Sequence, residues 1–286
     1  MRYEAPETLD AAVGLLGDAN GGGAVLAGGT DLLVLLHAEM IEPEVLVDIK
    51  NISDVKTMSV AGGAWVVGAA VPGMHVIDNA EFAAAWPGVC EGVALIGSVQ
   101  VKGRASIGGN LCNASPAADS VPAIIAAGAI ANIIGPAGLR EEPVENIVTG
   151  PRQTSLSEGE FIVSFSFPEK LPHTGDCYLR LTPRTEMDIA VVGAGVCLTL
   201  DDGGTCTAAR VSIGAVAPTP LLVADAADAL IGTKVDDAAL DSMVAAVRAA
   251  CDPISDKRGT REYRIKTAGV IARRAAFKAL ERAQAD

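Results

Sequence analysis

Ala27-Gly28-Gly29-Thr30-Asp31 and Ser106-Ile107-Gly108-Gly109-Asn110 are two glycine-rich stretches about eighty residues apart, and their reading decides the fold. Each follows strand-like or turn-like sequence and precedes an apolar run. Each is therefore placed to turn bare backbone N–H groups toward an anion. A single Gly-Gly pair reads equally well as a tight turn, but the two together imply a diphosphate held from two sides.

Neither stretch is a standard nucleotide fingerprint. Gly21-Gly22-Gly23-Ala24-Val25-Leu26 fails G-x-G-x-x-G because Leu26 stands at the last position, and no Gly-Lys-Ser/Thr follows any glycine. The Rossmann and P-loop readings lose their main support.

Working outward from the first stretch, Leu9, Ala12, Val13 and Leu16 recur at helical spacing, Ala24 to Leu26 reads as a strand, Asp31 to His37 as a helix, and Val45 to Ile49 as a strand. From Thr57 the pattern changes to short strands and turns, with Gly62-Gly63 between Met58-Ser59-Val60 and Trp65-Val66-Val67. A helix is expected from Trp86 to Ile96, and an apolar helix opening at Ser115-Pro116. Ile130 to Ile134 and Leu139 to Val144 flank a Gly135-Pro136-Ala137-Gly138 turn. The alternation of Phe161, Val163, Phe165 and Phe167 predicts a half-buried strand. In the last third, Asp201-Asp202-Gly203-Gly204 is a hairpin signal, followed by helical faces at Leu240, Met243, Val244 and Val247 and from Tyr263 to Leu280.

These signals give an α+β chain in three parts, residues 1–56, 57–172 and 173–286, with no internal repeat or low-complexity linker. Its 286 residues suffice for a large core, built from Ala, Val, Ile and Leu because only 3% are aromatic. A net charge of −13 repels a phosphate backbone at long range, so nucleic-acid binding is excluded as a leading function and any bound anion must be held by local dipoles. The amino-terminal residues lack the apolar core of a signal peptide and no run is long enough to span a membrane, so a cytoplasmic location is expected. The six cysteines are scattered, which argues against zinc, an iron–sulfur cluster on this chain, or a disulfide framework. No sequence arrangement suggests a catalytic nucleophile or another catalytic residue, and none suggests a metal site.

The run Leu26 to Leu33, the run Ser106 to Asp119, and the series Arg258, Gly259, Glu262, Tyr263, Arg264 resemble the FAD-binding medium subunit of molybdenum hydroxylases, the group of xanthine and carbon monoxide dehydrogenases. The resemblance covers essentially the whole chain. It implies a vanillyl-alcohol-oxidase-type (PCMH) fold: two α/β subdomains that clasp FAD, then a C-terminal three-stranded sheet with a helical bundle. It also implies partners, a large molybdopterin subunit and a small subunit with two [2Fe–2S] clusters, in a dimer of heterotrimers. In that arrangement the FAD passes electrons from the clusters to NAD⁺, a quinone or another acceptor.

The same resemblance assigns site residues. Leu26, Ala27, Gly28, Gly29, Thr30, Asp31 and Leu32 are expected to wrap the pyrophosphate, with Asp31 equally readable as a helix-start residue. Ser106, Ile107, Gly108, Gly109 and Asn110 form the second arm, and Asp119 binds a hydroxyl of FAD or caps a helix. Arg180 supplies a cation toward the flavin, Ile189 lies over the ring, and Ile96 stands where some relatives stack a phenylalanine on the adenine. Ile162 lies near the adenine or serves the strand core. The three histidines, His37, His75 and His173, fall outside both glycine stretches, which argues against covalent flavin attachment. The alternatives are a stand-alone FAD oxidoreductase of the same superfamily and a non-catalytic binding module.

Overall fold

The computed structural model describes residues 1–19 and 21–285. Three sheets follow one another along the chain, with a two-stranded ribbon as a fourth, small sheet.

The first sheet is parallel, in the order β1 (Arg2–Glu4), β3 (Val45–Asp48), β2 (Gly23–Leu26). All four residues of the central β3 are buried, as a strand covered on both faces requires. Helix α1 (Leu9–Asp18) begins at Thr8, whose hydroxyl accepts from Ala11 N at 3.2 Å, and it buries Ala12 and Leu16. The chain leaves β2 through the first glycine stretch into the short helix α2 (Leu32–His37).

The second sheet is antiparallel throughout, in the order β4 (Met58–Ala61), β5 (Ala64–Gly68), β10 (Phe161–Phe167), β6 (Ile130–Gly135), β7 (Gly138–Pro143). Between β5 and β6 run α3 (Gly73–Asp78), α4 (Ala80–Ala85), α5 (Pro87–Ala94), α6 (Val99–Lys102), α7 (Ile107–Cys112) and α8 (Ser120–Ala126). The ribbon β8 (Val148–Gly150) and β9 (Gln153–Thr154) precedes β10.

The alternation in β10 predicts a half-buried strand, whereas the strand is central and buried on both faces. The cause is a bulge between Ile162 and Ser164. One extra residue flips the alternation, so Phe161 and Val163 join the core of the first sheet while Phe165 and Phe167 join the core of the second. This strand is the shared wall of the two cores. The apolar helix expected from Ser115-Pro116 starts instead at Ser120, because residues 115–119 form a turn in which Ser115 Oγ accepts from Ala117 N at 3.3 Å.

The third sheet is antiparallel: β11 (Thr174–Leu181), β12 (Val192–Leu200), β13 (Cys206–Gly214) and a two-residue edge strand β14 (Leu221–Leu222), one strand more than expected. The Asp201 to Gly204 hairpin joins β12 to β13. Helices α9 (Ala224–Asp228), α10 (Asp237–Ala250) and α11 (Arg261–Ala285) follow, and the long α11 lies across β11 and β12. On β11 the residues divide by parity. Cys177 and Leu179 join the core under α11. The side chains of Asp176, Tyr178 and Arg180 turn the other way: Asp176 accepts from Gly88 N, and Tyr178 and Arg180 donate to Asp119, while the main-chain N–H of Tyr178 donates to Glu91. That alternation bonds the third sheet to α5 and to the start of α8.

Candidate functional site

The first glycine stretch sits at the C-terminal edge of a parallel sheet, the edge where open α/β sheets place ligands. Its geometry is set from behind. Leu26 and Asp48 end neighbouring strands in register. Asp48 accepts from Tyr3 Oη and from Lys50 Nζ, each at 2.7 Å, and Lys50 Nζ also donates to the Ala27 carbonyl at 2.9 Å. Burial raises the Asp48 carboxyl, but the bonds from Lys50 and Tyr3 bring it below the usual carboxylate value. Gly29 takes φ +77°, a conformation that favours glycine. The N–H groups of Gly28, Gly29, Thr30 and Asp31 donate to no protein acceptor among the described residues. Asp31 holds the N-cap position of α2 but makes no side-chain cap bond. Burial pushes its carboxyl up, with Arg152 pulling the other way.

The second glycine stretch is not a loop. It forms the first turn of α7, with Ser106 as its cap: Ser106 Oγ accepts from Gly109 N at 3.1 Å and Ser106 O from Asn110 N at 2.9 Å. A helix accepts this glycine pair because the site leaves Gly108 no room for a side chain; a Cβ there would stand 2.5 Å from the Ala69 carbonyl oxygen. Gly108 N donates to that same oxygen at 3.2 Å. Asn110 is pinned to α8, its Oδ1 accepting from Ser120 N at 3.2 Å and Ser120 Oγ at 2.7 Å.

The two stretches abut. A Cβ at Gly28 would lie 2.0 Å from the Arg104 carbonyl oxygen, just before the second stretch. Between them opens a cavity of about 490 Å³, within the range of small-molecule sites. Ala27, Gly28, Gly29, Thr30, Asp31 and Leu32 line it from one side. Ser106, Gly108, Gly109 and Asn110 line it from the other, and Ile96 and Ile162 add apolar wall.

Five expected site residues do not reach this cavity wall. Leu26 and Ile107 are 7% and 1% exposed and belong to the packed interior. Asp119 and Arg180 are turned toward each other, Arg180 Nη1 standing 2.6 Å from Asp119 Oδ2. Asp119 stands at the N-cap position of α8, as the capping alternative expects, but makes no side-chain cap bond there. Ile189 is 53% exposed on the segment between β11 and β12. None of the three histidines lines the cavity.

Several lining residues went unmarked in the sequence, among them Arg152, Thr154, Leu156 and Phe161. Phe161 carried a strand signal only. Arg152 and Thr154 sit on a short ribbon whose sequence has no motif, and only the fold carries them to the cavity. The series Arg258 to Arg264 proves to be an anchor: Arg258 Nε meets Asp188 Oδ1 at 3.2 Å, and Arg264 Nη1 donates to Val191 O at 2.8 Å and Ala215 O at 3.2 Å.

A dinucleotide with a diphosphate fits what lines this cavity. Four adjacent N–H groups lack protein acceptors among the described residues, and a Cβ at Gly109 would meet only Ser106 Oγ, at 3.4 Å, leaving the backbone there open to close approach. Among the described residues no three His, Cys, Asp or Glu side chains gather as a metal site, and no helix is long and apolar enough to cross a membrane.

Comparison with known proteins gives the family. Residues 1–170 match the FAD binding domain in molybdopterin dehydrogenase, and residues 178–279 match the CO dehydrogenase flavoprotein C-terminal domain. The chain is 34% identical to the carbon monoxide dehydrogenase medium chain of Afipia carboxidovorans, covering 99% of this chain and 97% of that one. It is 30% identical to a xanthine dehydrogenase FAD-binding subunit of Escherichia coli, covering 92% and 90%. Among solved structures, a Cu,Mo-CO dehydrogenase superposes with a TM-score of 0.94 at 34% identity over 99% of this chain and 98% of that chain. Quinoline 2-oxidoreductase from Pseudomonas putida 86 superposes with a TM-score of 0.90 at 29% identity over 99% and 98%. The chain therefore belongs to the family of FAD-binding medium subunits of molybdenum hydroxylases, and is an oxidoreductase subunit of the flavoprotein type.

Proposed function

We propose that this chain holds FAD in the cavity between its two glycine stretches and relays electrons from [2Fe–2S] clusters on a small partner subunit to NAD⁺ or a quinone. A large molybdopterin subunit would oxidise the substrate, in a dimer of heterotrimers. The observation that carries the reading is the meeting of Ala27 to Leu32, from the first sheet, with Ser106 to Asn110, from the second, around one cavity with free N–H donors.

FAD, when bound, supplies the interconversion of one-electron and two-electron transfer. The chain's own groups bind and orient it. The N–H groups of Gly28 to Asp31 would hold the diphosphate, with the Thr30 hydroxyl beside them. Gly108 and Gly109 would allow close approach of the second arm, and Ile96, Phe161 and Ile162 would exclude water. Asp119 and Arg180 would act through the wall, since Arg180 Nη1 also donates to Leu95 O at 3.0 Å, next to Ile96. Ile189 would cover the flavin only from the segment between β11 and β12.

The test is purification of the chain with its partner chains. A flavin absorbance near one per chain is expected, and its reduction by substrate should precede reduction of added NAD⁺ or quinone. A folded complex without flavin would overturn the reading.

A further inference from the structure

We propose that Arg152 is the counter-cation for the anionic diphosphate of the cofactor, kept in an unfavourable backbone conformation for that task. The inference rests on the flavin-binding reading above.

Arg152 is the only Lys, Arg or His that lines the cavity among the described residues. Two carboxylates line the same cavity, Asp31 and Glu160. Glu160 is already answered by Arg140, which grips it through Nε at 2.7 Å and Nη2 at 2.8 Å. Asp31 has no such partner among the described residues. With a net charge of −13 on the chain, a dianionic group entering beside Asp31 meets repulsion that backbone dipoles alone must offset.

The Arg152 side chain is uncommitted. Its guanidinium makes no ion pair or hydrogen bond with the described residues, whereas the other cations around the cavity, Lys50 and Arg140, are spent on protein acceptors. Arg152 and residues 27–32 line the same cavity, and the guanidinium charge acts on Asp31. A guanidinium that shares a cavity with a row of N–H donors supplies the two kinds of group a diphosphate needs.

The backbone gives an independent observation. Arg152 takes φ +60°, in the left-handed region that an arginine adopts at a cost and a glycine does not. Its N–H is tied to the carbonyl of Ala114, just past the end of α7, at 3.0 Å. Seven non-glycine residues take a positive φ among the described residues, and Arg152 is the one of them that lines the cavity.

The experiment uses the full chain stripped of flavin and titrated with FAD at low and high salt, with apo melting measured for each variant. Arg152→Gln is expected to weaken FAD binding roughly tenfold or more at low salt, the usual weight of a charge-assisted contact, and to flatten the salt dependence. Arg152→Lys is expected to keep most of the affinity. Arg152→Gly should lose affinity like Arg152→Gln while the apo chain melts at the same or a higher temperature. Wild-type affinity and salt dependence in Arg152→Gln would overturn the proposal, as would Arg152→Lys binding as weakly as Arg152→Gln with unchanged apo melting. If the wild-type chain takes up no FAD, the underlying reading fails instead.

Discussion

Asp119 and Arg180 form a buried ion pair: Arg180 Nη1 donates to Asp119 Oδ2 over 2.6 Å, and the two side chains are 10% and 5% exposed. Tyr178 Oη donates to the other carboxylate oxygen at 2.9 Å, and Arg180 Nη1 reaches Leu95 O at 3.0 Å. One cluster thus ties β11 of the third sheet to the start of α8 and to the residue before Ile96 in the cavity wall.

Replacing Arg180 by Met leaves the Asp119 charge buried without its cation. Breaking a buried pair from one side costs about 3–5 kcal/mol, so urea unfolding at neutral pH should show a loss of that order. Burial pushes the Asp119 carboxyl up to about 6, against the pull of Arg180 and Tyr178. A raised carboxyl contributes stability that is present below its unfolded value, about 4, and lost as pH rises through its folded value. The arginine offsets that loss only while the carboxylate is ionised. The gap between wild type and Arg180→Met should therefore be widest above pH 6 and shrink at pH 5. A gap that is constant across this window would show that the pair does not titrate as a unit.

Arg264 is the comparable anchor in the C-terminal part. Its guanidinium serves three acceptors, Val191 O at 2.8 Å, Ala215 O at 3.2 Å and Asp256 Oδ1 at 2.8 Å, and its side chain is 4% exposed. Arg264→Met keeps the aliphatic stem but strands two carbonyls, so a loss of about 2–4 kcal/mol is expected in the unfolding of this part. Arg264→Lys should recover less than half, because an ammonium cannot reproduce the guanidinium fork. Differential scanning calorimetry of the two variants checks both.

What the sequence showed follows from which signals are local. The two glycine stretches were legible because each needs particular residues at fixed spacing, and the cavity they line was legible with them. The partners of Lys50 were not, since no pattern says that its ammonium returns to Ala27, twenty-three positions back. The bulge in β10 was equally silent: Phe161, Val163, Phe165 and Phe167 alternate evenly in sequence, and only the pairing with β6 reveals the flipped face. The resemblance makes Asp119 and Arg180 site residues, yet the fold turns each toward the other. Arg180 shares a β11 face with Tyr178, an alternation visible in the sequence whose meaning depended on finding α5 and α8 opposite it.

Lys50 positions the first glycine stretch through a peptide plane. A trans peptide points its carbonyl and N–H in opposite directions, so holding the Ala27 oxygen at 2.9 Å from Lys50 Nζ aims the Gly28 N–H away from Lys50. Lys50→Met is expected to cost only about 1 kcal/mol of stability, as a half-exposed contact does. FAD affinity should fall several-fold, because the donor loses its fixed direction. Isothermal titration of the stripped chain distinguishes this from a purely structural contact, which would lower the melting temperature and leave affinity unchanged.

Gly28 and Gly109 should fail in opposite ways when given side chains. At Gly28 a Cβ would press on the Arg104 carbonyl oxygen at 2.0 Å, backbone against backbone, so even Gly28→Ala must part the two stretches. Overpacking of this kind costs about 1–3 kcal/mol, and both melting temperature and flavin content should drop. At Gly109 the same atom meets only Ser106 Oγ at 3.4 Å, an ordinary contact, so the protein fold accepts it. A valine there directs its branched carbons at the cofactor instead. Gly109→Val is therefore expected to purify folded, with the melting profile of the flavin-free wild type, and to retain no FAD. Normal flavin occupancy in Gly109→Val would show that the first turn of α7 does not face the cofactor, and with that result the two-sided grip on the diphosphate would fail.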